Sequence, residues 1–423
     1  MNRVTGFLKL EMLPLAFAAA VFISVLLPQT KYYSYFYDDF VNFNQAQAIS
    51  ENFEAVLSVN KKNRRLPFFS TVIFLESRIF GQYPQAYFLV LYVLHFLNAL
   101  WVRKLAYRLG ACPSAALLSA MLFFCSSAAY QALIFIPSTA VVLAAFFFLA
   151  GIARWFDFMV SQNKSMFLTI MALQLLSVLT YEVSVVFPLF VLFLTCIYVD
   201  DKKKRRNLLL KYVSPLVIIQ VAYVIISFLD SRMMKLFCNK ITADVFSLFI
   251  PRLISLIHAL AVPLLVPGKG YFTSGIMGNY FVRFLPALIL SSYVLFLLLG
   301  KGGWNKMSKM IFTKNVAVPA CLVAISIIPF MANKLMFEHT TRYLYLPMVG
   351  FSIVFGVLGE AFMSLVRAVY SRQTYFVCVA ILVYIFTMNI FNTSFHFQRY
   401  QQYLVEHPDC SFNGQVNKIF EAL

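Results

Sequence analysis

The run Leu13-Pro14-Leu15-Ala16-Phe17-Ala18-Ala19-Ala20-Val21-Phe22-Ile23-Ser24-Val25-Leu26-Leu27-Pro28 is apolar on every face and alternates nowhere. A helix needs about 17–25 such residues to cross the hydrocarbon core. Arg3 and Lys9 precede it, so a signal peptide is the competing reading. The residues that follow, Gln29-Thr30-Lys31-Tyr32-Tyr33, offer no small-residue cleavage site. The run therefore reads as an uncleaved first membrane helix near 11–28. Comparable runs recur near 86–108, 113–130, 136–156, 165–180, 183–199, 208–228, 284–300, 315–332, 341–364 and 374–394. They predict an all-α polytopic membrane protein, a bundle of about eleven spans by the apolar-length rule. Helices are chosen over a barrel because the runs are continuous and lipid leaves no backbone group unpaired.

The rest of the composition agrees. Of 423 residues, 61% are hydrophobic and only 12% charged, about half the charge of a soluble protein. The net charge of +18 raises nucleic acid as a partner, but no basic stripe interleaves with stacking aromatics, and no nucleic-acid partner is expected. Instead the charges sit in short loops: Arg103, Lys104 and Arg108; Lys202 to Arg206; Lys301, Lys306, Lys309 and Lys314; Arg367 and Arg372. Placing these loops in the cytoplasm with the N-terminus leaves about 19 basic and 5 acidic residues inside, against about 16 and 12 outside. The loops at 202–206 and 301–314 then need an even number of crossings between them. That demotes 245–267, with Pro251, Arg252, Pro263 and Pro267, to a re-entrant or interfacial segment. Residues 1–394 read as one membrane domain with a long outer loop at 29–85, and 395–423 as a short outer tail. Cys112, Cys125, Cys196, Cys321 and Cys378 read as small buried residues, while Cys238 and Cys410 fall outside, where a disulfide is open to them.

The polar residues hardest to explain by packing collect on the outer side. Asp38-Asp39 follow the first helix and read either as a general base beside the membrane or as the start of a loop or helix. Arg65, in Asn63-Arg64-Arg65-Leu66-Pro67, suits a phosphate or a lipid headgroup equally. Glu182, after Tyr181, is costly at the boundary without a role or partner, and is otherwise a turn residue. Gln131 lies in the outer turn near 131–135. Arg342, Tyr343 and Tyr345 open a later helix, as a site or as an interfacial belt. His95 lies three residues before Asn98 on one helical face, which reads first as a hydrogen bond between helices. No metal-ligand spacing, phosphate-binding glycine loop or Gly-x-Ser-x-Gly is found, so an ATP-driven transporter is disfavoured.

The order of these pieces resembles the GT-C superfamily of membrane glycosyltransferases. It is most similar to the protein O-mannosyltransferases and the transmembrane, tetratricopeptide-repeat O-mannosyltransferases. Asp38-Asp39 follow helix one. Arg65-Leu66-Pro67 then leads to Phe80-Gly81-Gln82-Tyr83-Pro84-Gln85-Ala86-Tyr87-Phe88-Leu89-Val90, His95 and Asn98-Ala99-Leu100. Glu182 opens a later helix, and Thr341-Arg342-Tyr343-Leu344-Tyr345-Leu346-Pro347-Met348-Val349-Gly350-Phe351 comes near the end. The likeness runs from about residue 10 to 360, without the repeat domain; the proline after Arg65 comes one place late, and Thr341 replaces a frequent glutamate.

The resemblance implies an inverting hexosyltransferase that moves a sugar from a polyprenyl-phosphate donor to an acceptor hydroxyl. The acceptor would be a surface polysaccharide, lipid or protein, in the manner of lipopolysaccharide and O-antigen decoration, on the outer face of a bacterial inner membrane. It assigns the catalytic base to Asp38 with Asp39 second, and donor-phosphate binding to Arg65, Arg342 and Tyr345. Glu182, His95, Gln131 and Tyr343 would line the substrate pocket. No cofactor is required, although the acidic pair can hold a divalent cation (Mg or Mn) weakly. The rival readings are an O-antigen polymerase or ligase, kept alive by the loop at 229–283, and a transporter or flippase. The latter should show polar residues at mid-membrane and paired broken helices.

Overall fold

Proline at the first or second helical position, where no backbone donor is missed, starts the helices headed by Pro14, Pro84, Pro113 and Pro188. The computed structural model describes residues 12–35, 37–52, 56, 67–228, 313–328, 341–369, 372–408 and 411–422. Among these, every α-helix and short 3-10 turn falls in one all-helical chain. Its α-helices are α1 Leu13–Leu26, α2 Tyr37–Glu51, α3 Pro67–Phe80, α4 Pro84–Arg108, α5 Pro113–Cys125, α6 Gln131–Ile134, α7 Thr139–Ser161 and α8 Lys164–Thr180. There follow α9 Phe187–Tyr198, α10 Lys202–Leu208, α11 Ser214–Phe228, α12 Lys314–Ile327, α13 Tyr345–Val369, α14 Arg372–Glu406 and α15 Asn413–Ala422.

The expected eleven spans are corrected to six. Among the described residues, six helical stretches are long and apolar enough to cross a membrane: Leu13–Tyr32, Pro84–Arg108, Ile136–Ser161, Lys202–Ile225, Thr341–Ser364 and Cys378–Glu406. The protein is thus a multi-pass integral membrane protein. Four apolar runs counted as spans form helices of only 10–17 residues: Pro113–Ala129, Lys164–Thr180, Ser184–Tyr198 and Lys314–Ile327. The causes are local. Ser126 takes an extended conformation after α5, and Tyr181 does so after α8 at φ −157° and ψ 137°. Run length counts apolar residues and does not register these single-residue breaks. The predicted span 284–300, the segment 245–267, the loop at 229–283 and the Cys238–Cys410 pair lie outside the described residues. The segment 29–85, expected as an outer loop, carries regular structure among its described residues, with a 3-10 turn at Leu27–Tyr32 followed by α2 and α3.

α13 is the helix on which the bundle closes, packed against α5 on one side and α12 on the other. Two glycines make this possible. A Cβ at Gly356 would run into Ser119 and come within 2.9 Å of the Ala115 carbonyl on α5. A Cβ at Gly350 would run into the Pro319 carbonyl and lie 2.9 Å from Val323 on α12. Without hydrophobic driving force between helices in lipid, such small-residue contacts are what bring backbones together. Polar ties add to them: Trp155 Nε1 donates to Thr195 Oγ1 at 3.2 Å, and Gln174 Nε2 to the Leu216 carbonyl at 2.8 Å.

Three of the basic stretches, at Arg108, Arg205 and Lys314, meet at one end of this bundle. Arg108 pairs with Asp157 at 2.5 Å, Lys314 Nζ donates to the Ile197 carbonyl, and Asn315 Nδ2 donates to the Gly110 carbonyl. At the other end α14 continues as one helix of 35 residues, about 52 Å long at 1.5 Å per residue. Beyond it α15 packs against α2.

The glycine contacts give a direct test. Gly356→Val forces a side chain between α13 and α5 and is expected to lower the thermal midpoint in detergent, at a cost of about 1–3 kcal/mol. Gly414→Ala, whose Cβ meets nothing within 4 Å, is expected to leave it unchanged or slightly raised.

Candidate functional site

Asp38 and Asp39 occupy the first turn of α2, where the positive end of the helix dipole favours carboxylates. A helical turn points adjacent side chains about 100° apart, and these two part company. Asp38 Oδ2 accepts a hydrogen bond from Arg342 Nη1 at 3.2 Å, although 304 residues separate them in sequence. Both side chains keep access to solvent, at 42% for Asp38 and 32% for Arg342. Asp39 is buried at 1% exposure and accepts from the Tyr33 hydroxyl at 2.8 Å. Burial and then the charge of Asp39 push the Tyr33 phenol well above its usual value, so Tyr33 stays protonated and donates.

Arg342 sits in a 3-10 turn, Thr341–Leu344, that leads into α13. Gln131 ties this turn down from both sides. Its backbone N–H donates to Thr341 Oγ1 at 3.3 Å, and its side-chain Oε1 accepts from the Arg342 backbone N–H at 3.4 Å. The Gln131 side chain also bonds the hydroxyl of Tyr130, a phenol that burial pushes up to about 12. Tyr130 in turn stacks on His396 of α14, with centroids 4.0 Å apart. The Arg342 guanidinium carbon lies 5.7 Å from the Tyr343 ring centroid, a cation–π distance. Tyr181 interacts electrostatically with Arg342 as well. Asp38, Arg342, Gln131, Tyr343 and the Tyr181 corner are thus assembled at one end of the bundle.

His95 and Tyr345 belong to a different cluster, a buried network deeper in the bundle. His95 Nε2 faces the Phe124 carbonyl at 3.0 Å. A carbonyl only accepts, so Nε2 carries the proton and, in the neutral ring, Nδ1 accepts from the Tyr345 hydroxyl at 2.7 Å. Asn98 Nδ2 donates to the Tyr345 oxygen at 3.0 Å and to the Val142 carbonyl at 2.8 Å. The Tyr345 hydroxyl is therefore engaged within the bundle at 1% exposure. Glu182 opens the 3-10 turn Glu182–Val186, but its side chain lies outside the described residues, as do Arg65 and the segment 329–340.

Other residues at this end carried no sequence signal. Tyr33 reaches Asp39 across a change of backbone direction that no periodicity announces. Thr341 had entered only as a departure from a family pattern. Glu76, on α3 beside α2, is 7% exposed with its Oε2 fully buried and unbonded, and burial raises its carboxyl to about 7.

The acidic pair does not fit a metal. Its two carboxylates diverge to Arg342 and Tyr33, and among the described residues no three His, Cys, Asp or Glu side chains gather.

The chain shares its fold with solved archaeal oligosaccharyltransferases. No protein-family model matches it, and no curated protein matches it in sequence. Among solved structures it is similar to the oligosaccharyltransferase AglB of the archaeon Archaeoglobus fulgidus, in complex with an inhibitory peptide and a dolichol-phosphate. That match has a TM-score of 0.51 and 11% identity over 91% of this chain. The apo form of the Archaeoglobus fulgidus oligosaccharyltransferase matches at 0.50 and 12% identity over the same share. The chain spans 56% of the length of each. ArnT from Cupriavidus metallidurans, bound to undecaprenyl phosphate, aligns at 0.43 and 13% identity over 99% of this chain and 77% of its own. The two oligosaccharyltransferase likenesses show a shared fold and do not single out the O-mannosyltransferases.

Two outcomes follow. Tyr345→Phe strands Asn98 and His95 in the interior and is expected to cost about 1–3 kcal/mol, read as a lower thermal midpoint. Glu76 binds its proton more tightly folded than unfolded, because its carboxyl rises from 4.5 to about 7. Stability should be greatest below pH 4.5 and fall as pH rises to about 7. Glu76→Gln is expected to flatten that slope in midpoint-versus-pH measurements.

Proposed function

We propose that this protein transfers a sugar from a polyprenyl-phosphate donor to an acceptor hydroxyl at the end of the bundle that carries Asp38 and Arg342. The observation behind the reading is that pair: an accessible carboxylate and an accessible guanidinium 3.2 Å apart, on a fold shared with oligosaccharyltransferases. The chemistry needs both groups. The acceptor hydroxyl gives its proton to Asp38. Its oxygen bonds the anomeric carbon through an oxocarbenium-like state, as in glycoside chemistry. The bond from that carbon to the phosphate oxygen breaks, and the single displacement inverts configuration. Polyprenyl phosphate leaves with the electron pair, and Arg342 stabilises the charge. The pair is part-buried but keeps access to solvent, so an arriving phosphate can reach Arg342 and accept from its guanidinium.

The distribution of basic loops supports an orientation with the N-terminus in the cytoplasm and the site outside, and a bacterial inner membrane is the proposed location. The acceptor class proposed is a surface glycan, lipid or protein. The polymerase or ligase alternative rested on 229–283, outside the described residues.

Purified protein incubated with a panel of polyprenyl-phosphate sugars and a cell-envelope extract is expected to release polyprenyl phosphate. Asp38→Asn should reduce that rate by on the order of 10²–10⁴-fold. Arg342→Lys should weaken it less than Arg342→Ala, because the charge is kept and the planar fork lost. Equal release from wild type and Asp38→Asn would move the base role to Asp39, and no release from any form would refute the transferase reading.

A further inference from the structure

The segment between α1 and α2 is held by residues from the far end of the chain. The Ser34 N–H donates to Gln401 Oε1 on α14 at 2.7 Å. The Tyr35 N–H donates to Asn413 Oδ1 at 2.7 Å, and the Tyr35 carbonyl accepts from the Phe412 N–H at 3.0 Å. Rings close over these bonds: Phe412 stacks on Phe40 with centroids at 5.3 Å, and Phe420 lies 4.8 Å from Phe43. Each of these contacts falls within a few residues of Tyr33, Asp38 or Asp39.

We infer that Gln401 and Asn413 are positioning residues for the acidic pair, acting through the Ser34 and Tyr35 backbone. The inference rests on the transferase reading above. The argument is one of connectivity. Residues 33–35 have no regular structure of their own: the Tyr33 N–H returns to the Thr30 carbonyl at 3.2 Å, while the Ser34 and Tyr35 N–H groups go to distant partners. Those partners are two side-chain carbonyls, from α14 and α15. Tyr33, once fixed, orients Asp39, and the backbone of α2 then sets where Asp38 meets Arg342. Burial is concentrated beneath this junction, with Phe43 at 1%, Val416 at 0% and Ile419 at 5% exposure, so α15 is a packed part of the outer end. Asn413 itself is exposed and contributes its oxygen rather than its bulk.

The test uses the full chain with Asn413→Leu, which removes the acceptor, and Asn413→Asp, which keeps it. Gln401→Leu and Gln401→Glu form an independent second pair. Two quantities are read: hydrogen–deuterium exchange across residues 33–43, and kcat with donor KM from polyprenyl-phosphate release. Both Leu variants are expected to exchange faster there and to lose on the order of 10- to 100-fold in kcat, the penalty of a small misplacement, with donor KM and thermal midpoint unchanged. The Asp and Glu variants are expected to restore both readouts. Faster exchange with wild-type kcat would overturn the inference, as would unchanged exchange, a KM effect alone, or failure of the conservative variants to rescue. If wild type releases no polyprenyl phosphate, the transferase reading has failed and the positioning role falls with it; normal wild-type release with an indifferent Leu variant rejects the positioning role alone.

Discussion

Arg342 can meet Asp38 only because α13 is seated against α5 and α12 with no side chain between the backbones. Gly356 lies against Ser119 and Ala115, and Gly350 against Pro319 and Val323. Within lipid, packing of this closeness replaces the hydrophobic effect as the force between helices. The turn Thr341–Leu344 emerges from the end of that helix, so the register of two glycines sets the height at which a guanidinium is presented. The buried triad of His95, Asn98 and Tyr345 ties α13 to α4 just beneath. Both His95 ring nitrogens, the Tyr345 hydroxyl and the Asn98 amide nitrogen are paired there, while Asn98 Oδ1 is buried without a partner.

The two aspartates show how neighbouring residues of one type are given different environments. A helical first turn sends Asp38 toward solvent and Arg342, and Asp39 inward to a phenol. The Asp38–Arg342 pair keeps access to solvent, which lets water or another group compete for either partner. The buried aspartate is committed: removing Tyr33 would leave a carboxylate in the interior short of a donor, which is costly. Access to solvent and burial are thus divided between two adjacent positions of the chain.

The helical class, the membrane location and the cluster of polar residues at one end were legible because they depend on composition and on local order along the chain. Asp38, Gln131 and Arg342 were each visible as misfits in apolar surroundings. The number of spans was not legible, because Ser126 and Tyr181 break helices by backbone conformation in runs that remain apolar throughout. Nor was the sorting of the misfits: His95 and Tyr345 satisfy one another in the core, a pairing across 250 residues. Tyr33, Gln401 and Asn413 escaped notice because each is an ordinary polar residue whose partner is distant in sequence or lies past a bend.

The long helix α14 has a geometric consequence for where chemistry sits relative to lipid. Tyr33, the partner of Asp39, packs on Phe397 with centroids 6.2 Å apart. The apolar stretch of that helix begins at Cys378, and the distance from there to Phe397 is about 29 Å at 1.5 Å per residue. That equals the thickness of a bilayer's hydrocarbon layer, about 30 Å. The helix acts as a ruler, and Phe397 is the mark at which the acidic pair is set.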